Sequence, residues 1–509
     1  MKFIPNVKIM AALVAGLVSN ASLVQAADHV DCQLVSVNQE AKIVALDAAT
    51  GDLFGYRVAI DGDTMVTSSL RDDDGGEQSG SAHVYVRNGN EWSLQAKLVA
   101  SDAEAGDRFG WGVSINGNTV VIGAPGVDDA GSRSGSAYVF VRDGTSWTQQ
   151  AKLAASDANL GDWLGVSVSI SGDTVVVGAF RDNNNSRFNA GSAYVFERIG
   201  TTWTQQAKLT APTADIITSG EFGEDVTIDN NTIVVAGKTL EGAKSYVYVR
   251  DGNEWTLEAR LNGGYPAISG DTILASGIVY LRSGTTWTLQ AELTPLGDTA
   301  DYVGSARALE GDTIVLGALR NDDGEEGSGR HFVFVRNGTT WTQQGEFVSP
   351  NIEGTARYAA ISGDTVVIGS RFDDSTVEQS GSAYIFRISV GSIADYFNCI
   401  IEYVSDDEVI FDSDWKTKRM RVAYINKLEA VLELVLAAEA AEAAEEPELA
   451  AALYLQVAEK VDNDLIALTD GLQGIGARTL DDWILVQEAQ DILYPDLLFL
   501  SDYLWLQVP

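Results

Sequence analysis

The residues with the clearest capacity for chemistry are short acidic clusters that recur along the chain. Carboxylate and carbonyl oxygens on a glycine-containing loop are the ligands that Ca²⁺ prefers, so calcium is the candidate cofactor. The alternative is a solvated turn in which Asp and Asn bond to their own backbone. This simpler interpretation is favoured because no cluster has the full twelve-residue spacing of a calcium loop. The candidate metal ligands are Asp72, Asp73, Asp74, Asp128, Asp129, Asp182, Asp322, Asp323, Asp373 and Asp374.

The clusters lie between elements of a repeat that is visible throughout the first three quarters of the chain. A phrase close to Gly-Asp-Thr-Val-Val-Val-Gly-Ala occurs seven times, and its copies begin at positions 62, 117, 172, 230, 270, 311 and 363. Successive copies are 40 to 58 residues apart. Periods of this size are typical of propeller blades or solenoid turns.

The best-preserved repeat, residues 161–209, shows what one copy forms. Short β-branched or aromatic segments separated by turn residues predict four strands, at 165–170, 174–179, 192–198 and 203–209. Tight glycine turns join the first strand to the second and the third to the fourth, so both turns lie on one face. The longer acidic links therefore lie on the opposite face. Four short antiparallel strands per repeat predict a mainly β protein with a seven-bladed β-propeller.

The two ends of the repeat region complement each other. Six repeats have a Trp at the start of the fourth strand, whereas the seventh has no fourth strand of its own. Residues 39–43 are similar to 149–153, which belong to a fourth strand. The N-terminal segment is therefore predicted to complete blade seven and to close the ring, which removes two unpaired sheet edges. An open β-solenoid, the alternative, has no use for such a strand. The six residues are Trp92, Trp147, Trp203, Trp255, Trp287 and Trp341.

The sequence motifs of the repeat indicate a family. Gly-Asp-Leu-Phe-Gly at 51–55 and Gly-Asp-Arg-Phe-Gly at 106–110 each precede a first strand, and Gly-Ala-Pro at 123–125 ends a second strand. From about residue 33 to 388, the chain resembles the FG-GAP repeat of the integrin α-chain propeller and its secreted bacterial relatives. The resemblance implies a seven-bladed propeller used for adhesion or ligand binding. The calcium motif of that family lies between the first and second strands, where this chain has only a short turn, so that site is not carried over.

The acidic links are unevenly distributed around the predicted ring. Blades four and five have almost no link between the second and third strands, at 238–244 and 276–277. The long acidic links of blades six, seven, one, two and three consequently form one continuous arc. We expect a specific binding surface on that arc.

Charge and termini restrict the partners and the location. The 509 residues carry a net charge of -38, which would repel nucleic acid. Residues 1–26 contain two lysines, an apolar stretch and small residues before position 27, the pattern of a secretory signal peptide. A membrane anchor is the alternative, but Asn20 and Ser22 interrupt the apolar run. The mature chain is expected to be secreted or at the cell surface, with the periplasm as a further option, and to have no membrane span.

Two further features concern the ends of the propeller. Cys32 and Cys399 are the two cysteines, and in an oxidising compartment they are predicted to form a disulfide that locks the ring, with two unrelated thiols as the alternative.

From about residue 391 the apolar spacing becomes helical. The predicted domains are thus a signal peptide at 1–26, the propeller at 27–390 and an α-helical bundle at 391–509.

No catalytic constellation is visible in the sequence. None of the three histidines has a nucleophile beside it in a known motif, and no nucleophile elbow or phosphate-binding glycine loop occurs. The prominent Asp, Phe-Gly and Trp residues recur in several blades, as structural residues do. The sequence therefore predicts a non-enzymatic protein that functions in adhesion or binding. Its expected ligand is an extracellular protein or glycan. The alternative is an extracellular propeller hydrolase or lyase acting on a polysaccharide, whose carboxylate pair the sequence alone would not reveal.

Overall fold

The computed structural model describes residues 35–390, with gaps at 90, 185–186, 296–302, 319–329, 349–357 and 375, and five isolated positions at 430, 433, 436, 437 and 456. Most described residues belong to one compact unit, formed by 37–333 and 346–388. The second unit comprises 1–36, 334–345 and 389–509 and lies largely outside the described residues. The signal peptide, both cysteines and the helical bundle, apart from the five isolated positions, also lie outside the described residues and stay predictions.

The described residues form 28 strands that pair as seven antiparallel sheets of four strands each. In chain order the strands are β1 (Val35–Ile43), β2 (Phe54–Asp61), β3 (Thr64–Ser69), β4 (Ser81–Asn88), β5 (Glu91–Leu98), β6 (Gly112–Asn116), β7 (Thr119–Ala124), β8 (Ser136–Asp143), β9 (Ser146–Leu153), β10 (Val168–Ser171), β11 (Thr174–Ala179), β12 (Ser192–Ile199), β13 (Thr202–Leu209), β14 (Val226–Asp229), β15 (Thr232–Thr239), β16 (Gly242–Asp251), β17 (Glu254–Asn262), β18 (Pro266–Ser269), β19 (Thr272–Ala275), β20 (Ile278–Ser283), β21 (Thr286–Glu292), β22 (Val303–Glu310), β23 (Thr313–Ala318), β24 (Arg330–Asn337), β25 (Thr340–Val348), β26 (Ala359–Ser362), β27 (Thr365–Ser370) and β28 (Ser382–Val390). Blades one to six contain β2 to β25 in consecutive groups of four, and blade seven contains β26, β27, β28 and β1. The predicted seven-bladed β-propeller is confirmed.

The ring closes as the similarity of its two ends predicts. Strand β1 pairs with β28 and supplies the fourth strand of blade seven. The first strands contact one another in succession around the ring, from β2 through β6, β10, β14, β18 and β22 to β26, which contacts β2 again. Closure removes the two sheet edges that an open ring would expose.

Local sequence explains the strands well, with one instructive difference in blade three. The second strand lies at Thr174–Ala179, as predicted, and all six of its residues are buried. The first strand begins at Val168 and not at residue 165. Gly165 has φ 102 and donates its N–H to the carbonyl of Gly178 at 2.9 Å, so it forms a bend before the strand. A side chain would be strained at such a φ value, which accounts for glycine there.

Where it occurs, the Phe-Gly motif joins its blade to the preceding one. Phe109 is fully buried, and its ring centroid lies 5.5 Å from that of Tyr138 and 5.9 Å from that of Phe140. Its backbone N–H donates to the carbonyl of Ser79 in blade one at 2.8 Å. At the closure, Phe54 donates in the same way to Ser380 of blade seven at 2.8 Å. The motif that carries the family resemblance is therefore structural.

The antiparallel order of the strands gives the propeller two different faces. The plain face carries the tight turns that begin at positions 62, 117, 172, 230, 270, 311 and 363, and the loop face carries the links between second and third strands and between blades. On the plain face, Arg198 at the end of a third strand pairs with Asp173 of the adjacent turn at 2.5 Å, and Arg87 pairs with Asp63 at 2.6 Å. These ion pairs hold the turns against the third strands.

Candidate functional site

Three of the predicted metal ligands, Asp72, Asp182 and Asp373, are buried and bind a lysine of the same blade. In blade three, Lys208 Nζ lies 2.6 Å from Asp182 Oδ2 and 2.7 Å from Asp157 Oδ2. The hydroxyl of Tyr194 lies 2.9 Å from Asp157 Oδ1 and 3.1 Å from Asp182 Oδ2, within hydrogen-bond reach of both carboxylates. Burial and the two carboxylates move the pKa of Tyr194 above its ordinary value.

The same arrangement recurs in blades seven and one. Asp373 is fully buried, accepts a hydrogen bond from Tyr384 at 2.6 Å and pairs with Lys42 of the closing strand at 2.8 Å. The lysine of blade one, Lys97, contacts three carboxylates at 2.5 to 2.6 Å, which belong to Asp47, Asp72 and Asp74. An ammonium group thus occupies the centre of these acidic clusters.

The other predicted ligands that the structure describes are exposed, and most of them organise their own loops. Asp73 Oδ1 accepts the backbone N–H of Gln78 at 2.7 Å, and Asp128 and Asp374 accept the N–H five residues ahead at 2.6 Å. Asp129 pairs with Lys152. These contacts are those of the solvated-turn alternative. Asp322 and Asp323 lie outside the described residues. Calcium binding stays a prediction, and an incoming ion would have to compete with the lysines.

Among the described residues, Asp47, Asp72 and His83 form a group with metal-ligand chemistry, because one ligand atom of each lies within 4.8 Å of the others. His83 is buried, and burial together with the charge of Lys97 lowers its pKa to about 4, so the imidazole is neutral at pH 7. Its Nε2 is 3.7 Å from Asp47 Oδ1, too far for a hydrogen bond. A metal ion bound to these carboxylates would compete with Lys97.

The loop face also carries a feature that the sequence analysis did not single out, which we call the arginine–aromatic surface. It extends over blades seven, one, two and three, within the predicted arc of long links. Neighbouring rings meet with centroids 5.7 to 6.0 Å apart, from Tyr358 through Tyr56, Trp111 and Trp163 to Phe180. Its residues are Tyr56, Arg57, Arg71, Arg108, Trp111, Arg133, Trp163, Phe180, Arg181, Tyr358, Arg371 and Phe372.

The guanidinium groups of this surface lie against the rings. The Arg57 guanidinium carbon is 3.5 Å from the ring centroid of Tyr358, and that of Arg181 is 4.2 Å from the Trp163 centroid. Burial, with the nearby charges of Arg133 and Arg71, lowers the pKa of Arg108. Arg133 and Arg181 lie over the same ring, with guanidinium carbons 5.5 and 4.2 Å from the Trp163 centroid. A partial sequence signal existed, because aromatic residues follow two of the Phe-Gly motifs, at Tyr56 and Trp111.

The first strands surround a small cavity at the centre of the ring. A cavity of about 160 Å³ is lined by residues of all seven first strands or of the positions just before them, among them Arg57, Asp225 and Arg307. Arg307 forms an ion pair with Asp225, which also accepts a hydrogen bond from Ser167 at 2.9 Å. Small-molecule sites usually have several hundred Å³. Recognition of a larger ligand is therefore expected on the loop face and not inside the channel.

Blade three has Gly-Asp-Trp-Leu-Gly at 161–165 in place of the Phe-Gly motif, and the acid of this segment gives a testable pH dependence. Asp162 is buried, and its Oδ2 accepts the N–H of Asn159 at 2.7 Å. Burial, reinforced by the charges of Asp182 and Asp157, raises its pKa to about 6. Since the folded-state pKa is above the unfolded one, the folded state binds more protons between pH 4 and 6, and this residue's contribution to stability falls as the pH rises through that window.

We expect Asp162→Asn to raise the free energy of unfolding at pH 7.5 by about 1 to 3 kcal/mol and to flatten its change between pH 4 and 6. Urea titrations at several pH values measure both effects. The matched control is Asp143→Asn at an exposed plain-face position, which should change stability by less than about 0.5 kcal/mol. Equal pH profiles for the wild type and Asp162→Asn would contradict the assignment.

The repeats can now be compared with known proteins. The sequence matches the family model of the FG-GAP repeat at residues 37–85, 92–140, 147–196, 203–248, 287–334 and 341–386, more than half of the chain. The chain belongs to the FG-GAP repeat family. Each matched segment of this FG-GAP protein starts in or beside the fourth strand of one blade and ends in the third strand of the next, and the first begins in β1. Residues 249–286 are unmatched, and they include the first three strands of the shortened blade five.

Other comparisons of the FG-GAP chain give only a likeness of fold. Its structure is similar to Sqt1 of Saccharomyces cerevisiae (10% identity, TM-score 0.39, covering 69% of this chain and 99% of that one). It is also similar to the WD40 β-propeller domain of Doa1 (12% identity, TM-score 0.42, covering 69% of this chain and 97% of that one). A chain of a mitotic checkpoint complex is similar as well (11% identity, TM-score 0.43, covering 69% of this chain and 94% of that one). Likenesses this weak carry no functional argument. No curated protein matches the sequence. Within the part of the chain that the structure describes, no helix is long and apolar enough to cross a membrane.

Proposed function

We propose that this FG-GAP protein is an extracellular or cell-surface binding protein that mediates adhesion through the loop face of its propeller. The observation that carries the proposal is the arginine–aromatic surface. Its half-buried tryptophans, Trp111 and Trp163, are not part of the repeat, because the equivalent positions of other blades have other residues, such as Tyr56 and Arg108. The repeated Phe, Gly and Lys residues, by contrast, serve the fold. Aromatic side chains and arginines are the residues most enriched in the energetic centres of interfaces.

A non-catalytic role is supported by the placement of the acidic residues. The buried carboxylates Asp72, Asp182 and Asp373 are paired with lysines in three different blades. A catalytic group is needed once, so the recurrence of this arrangement favours a structural task. The presence of FG-GAP repeats and the signal-like residues 1–26 support an extracellular location.

The test measures binding of the full mature chain to arrays of extracellular glycans and matrix proteins. Variants with substitutions on either face are then measured against any ligand found. For any ligand found, Trp111→Ala/Trp163→Ala should weaken binding by roughly tenfold or more, because two ring contacts of the loop face are lost. The control is Ile199→Ala on the plain face, whose side chain is 75% exposed and whose removal should leave the affinity unchanged. The melting temperature of each variant shows whether it is folded.

Further arms of the same experiment separate the remaining possibilities. Parallel arrays with millimolar Ca²⁺ and with EDTA test the calcium prediction, since a required ion makes binding depend on it and raises the melting temperature. Product analysis of each polysaccharide detects hydrolysis or elimination. Turnover would support the hydrolase or lyase alternative and contradict the binding proposal, and equal loss of binding in both face variants would contradict the assigned surface.

A further inference from the structure

The arginine–aromatic surface is a local exception to the charge of the chain. The net charge is -38, yet arginines from four consecutive blades meet on one face. Within the described residues, the guanidinium groups of four of these arginines form no ion pair with an acidic side chain: Arg71, Arg108, Arg133 and Arg181. The plain-face arginines Arg87 and Arg198 are paired with Asp63 and Asp173. The unpaired arginines thus lack the structural task that the paired ones perform.

The rings hold these arginines in position before any ligand arrives. Arg133 and Arg181 lie on the same ring, with guanidinium carbons 5.5 and 4.2 Å from the Trp163 centroid. Arg108 lies 5.7 Å from the centroid of Trp111, whose ring packs edge to face against Trp163 at 82°. Stacking covers the flat face of a guanidinium and leaves its N–H edge available. Such an edge binds a carboxylate or sulfate through two parallel hydrogen bonds.

The same loops carry exposed carboxylates next to the arginines. Asp128 accepts the backbone N–H of Arg133 at 2.6 Å, so acid and base share one short loop, and Asp73 lies two residues after Arg71. A polyanion without hydroxyl groups between its charges, such as single-stranded DNA or poly-glutamate, would be repelled by these carboxylates and by the net charge of the chain. A ligand whose acid groups are separated by hydroxyl groups fits both kinds of residue, because hydroxyls donate hydrogen bonds to carboxylates.

We propose that the arginine–aromatic surface binds an acidic saccharide, with Arg108, Arg133 and Arg181 on its carboxylate or sulfate groups and the loop carboxylates on its hydroxyls. This inference rests on the proposed binding function and specifies its ligand. Affinity should fall with rising salt, since the contacts are charged and solvent-accessible.

The test uses the full mature chain and calorimetric titration with defined probes. These are oligogalacturonate and a heparin hexasaccharide as acidic saccharides, cellohexaose as the neutral one, and poly-glutamate and single-stranded DNA as other polyanions. Arg108→Gln/Arg133→Gln should weaken binding of an acidic saccharide by roughly 10- to 100-fold, because two charge-assisted contacts are lost. The matched control, Arg87→Gln/Arg198→Gln, removes the same charge from the plain face and should change the affinity by less than about twofold.

A second variant distinguishes geometry from charge alone. Arg108→Lys/Arg133→Lys keeps the charge but loses the planar fork, so it should also bind more weakly than the wild type. Unchanged affinity in this variant, equal binding of cellohexaose, or stronger arginine-dependent binding of poly-glutamate or DNA would each overturn the saccharide assignment. If no saccharide binds but another array ligand depends on Trp111 and Trp163, this inference fails and the binding function stands. If no ligand of any kind binds, the proposed function itself fails.

Discussion

Gly135→Ala should lower the free energy of unfolding by about 2 to 5 kcal/mol. Gly135 has φ 80, and a Cβ there would lie 2.2 Å from the carbonyl oxygen of Leu164 and 2.4 Å from its nitrogen. Both atoms are backbone of the next blade and cannot rotate away. The cost combines a left-handed conformation, about 1 to 2 kcal/mol, with overpacking of about 1 to 3 kcal/mol. Urea denaturation of the full chain followed by tryptophan fluorescence measures the loss.

The chain offers a matched control for this substitution. Gly144 has a similarly left-handed backbone, φ 60, but a Cβ there would meet no heavy atom within 4 Å. Gly144→Ala should therefore cost only the conformational part, about 1 to 2 kcal/mol. The difference between the two variants isolates the close approach between blades. If they lose the same stability, the proposed tight contact of the Phe-Gly position with its neighbour is wrong.

Lys208→Met should destabilise the propeller by about 3 kcal/mol or more. It removes the ammonium that contacts Asp182, whose side chain is 6% exposed, and leaves that carboxylate with the Tyr194 hydroxyl as its remaining side-chain partner. Removing one partner of a buried ion pair costs about 3 to 5 kcal/mol because the other charge stays buried. Denaturation at neutral pH measures the change.

Blade two provides the control, since it has Val127 where blade three has Asp182. Lys152 pairs with Asp102 and Asp129, whose side chains are 44% and 58% exposed. Lys152→Met should thus cost less than about 1 kcal/mol, as exposed ion pairs contribute little. Similar losses at both positions would show that burial of Asp182 is not the cause. Adding Asp182→Asn to Lys208→Met should recover part of the stability.

Much of the fold was accessible from sequence because its signals are local. A Gly-Asp-Thr turn and the β-branched strand after it lie within a few residues, so the second strand of blade three could be placed at its true bounds, 174–179. Ring closure could be predicted for a different reason, because the sequence of β1 is similar to that of another fourth strand. The start of the first strand was missed, since the bend at Gly165 depends on contacts with the neighbouring blade.

The site was only partly accessible. For the acidic loops, the sequence favoured solvated turns over a calcium site, and neither interpretation included the lysine of the fourth strand. A signal was present: Lys97, Lys152 and Lys208 recur at one position of the repeat, in the blades with acidic links. The arc of long links located the right blades for the arginine–aromatic surface. It did not indicate arginines, whose positions differ from one blade to the next.

By itself the sequence determined the strand order within a blade, the number of blades, the closure and the FG-GAP family, because each depends on a pattern that repeats along the chain. Tertiary structure alone decided which charges meet. Lys208 reaches acids at positions 157 and 182, and the rings at 358, 56, 111 and 163 become neighbours although they come from four blades. The spacing of residues along the chain does not reveal distances between side chains of different blades. Only closure of the ring brings equivalent positions of successive blades to one face.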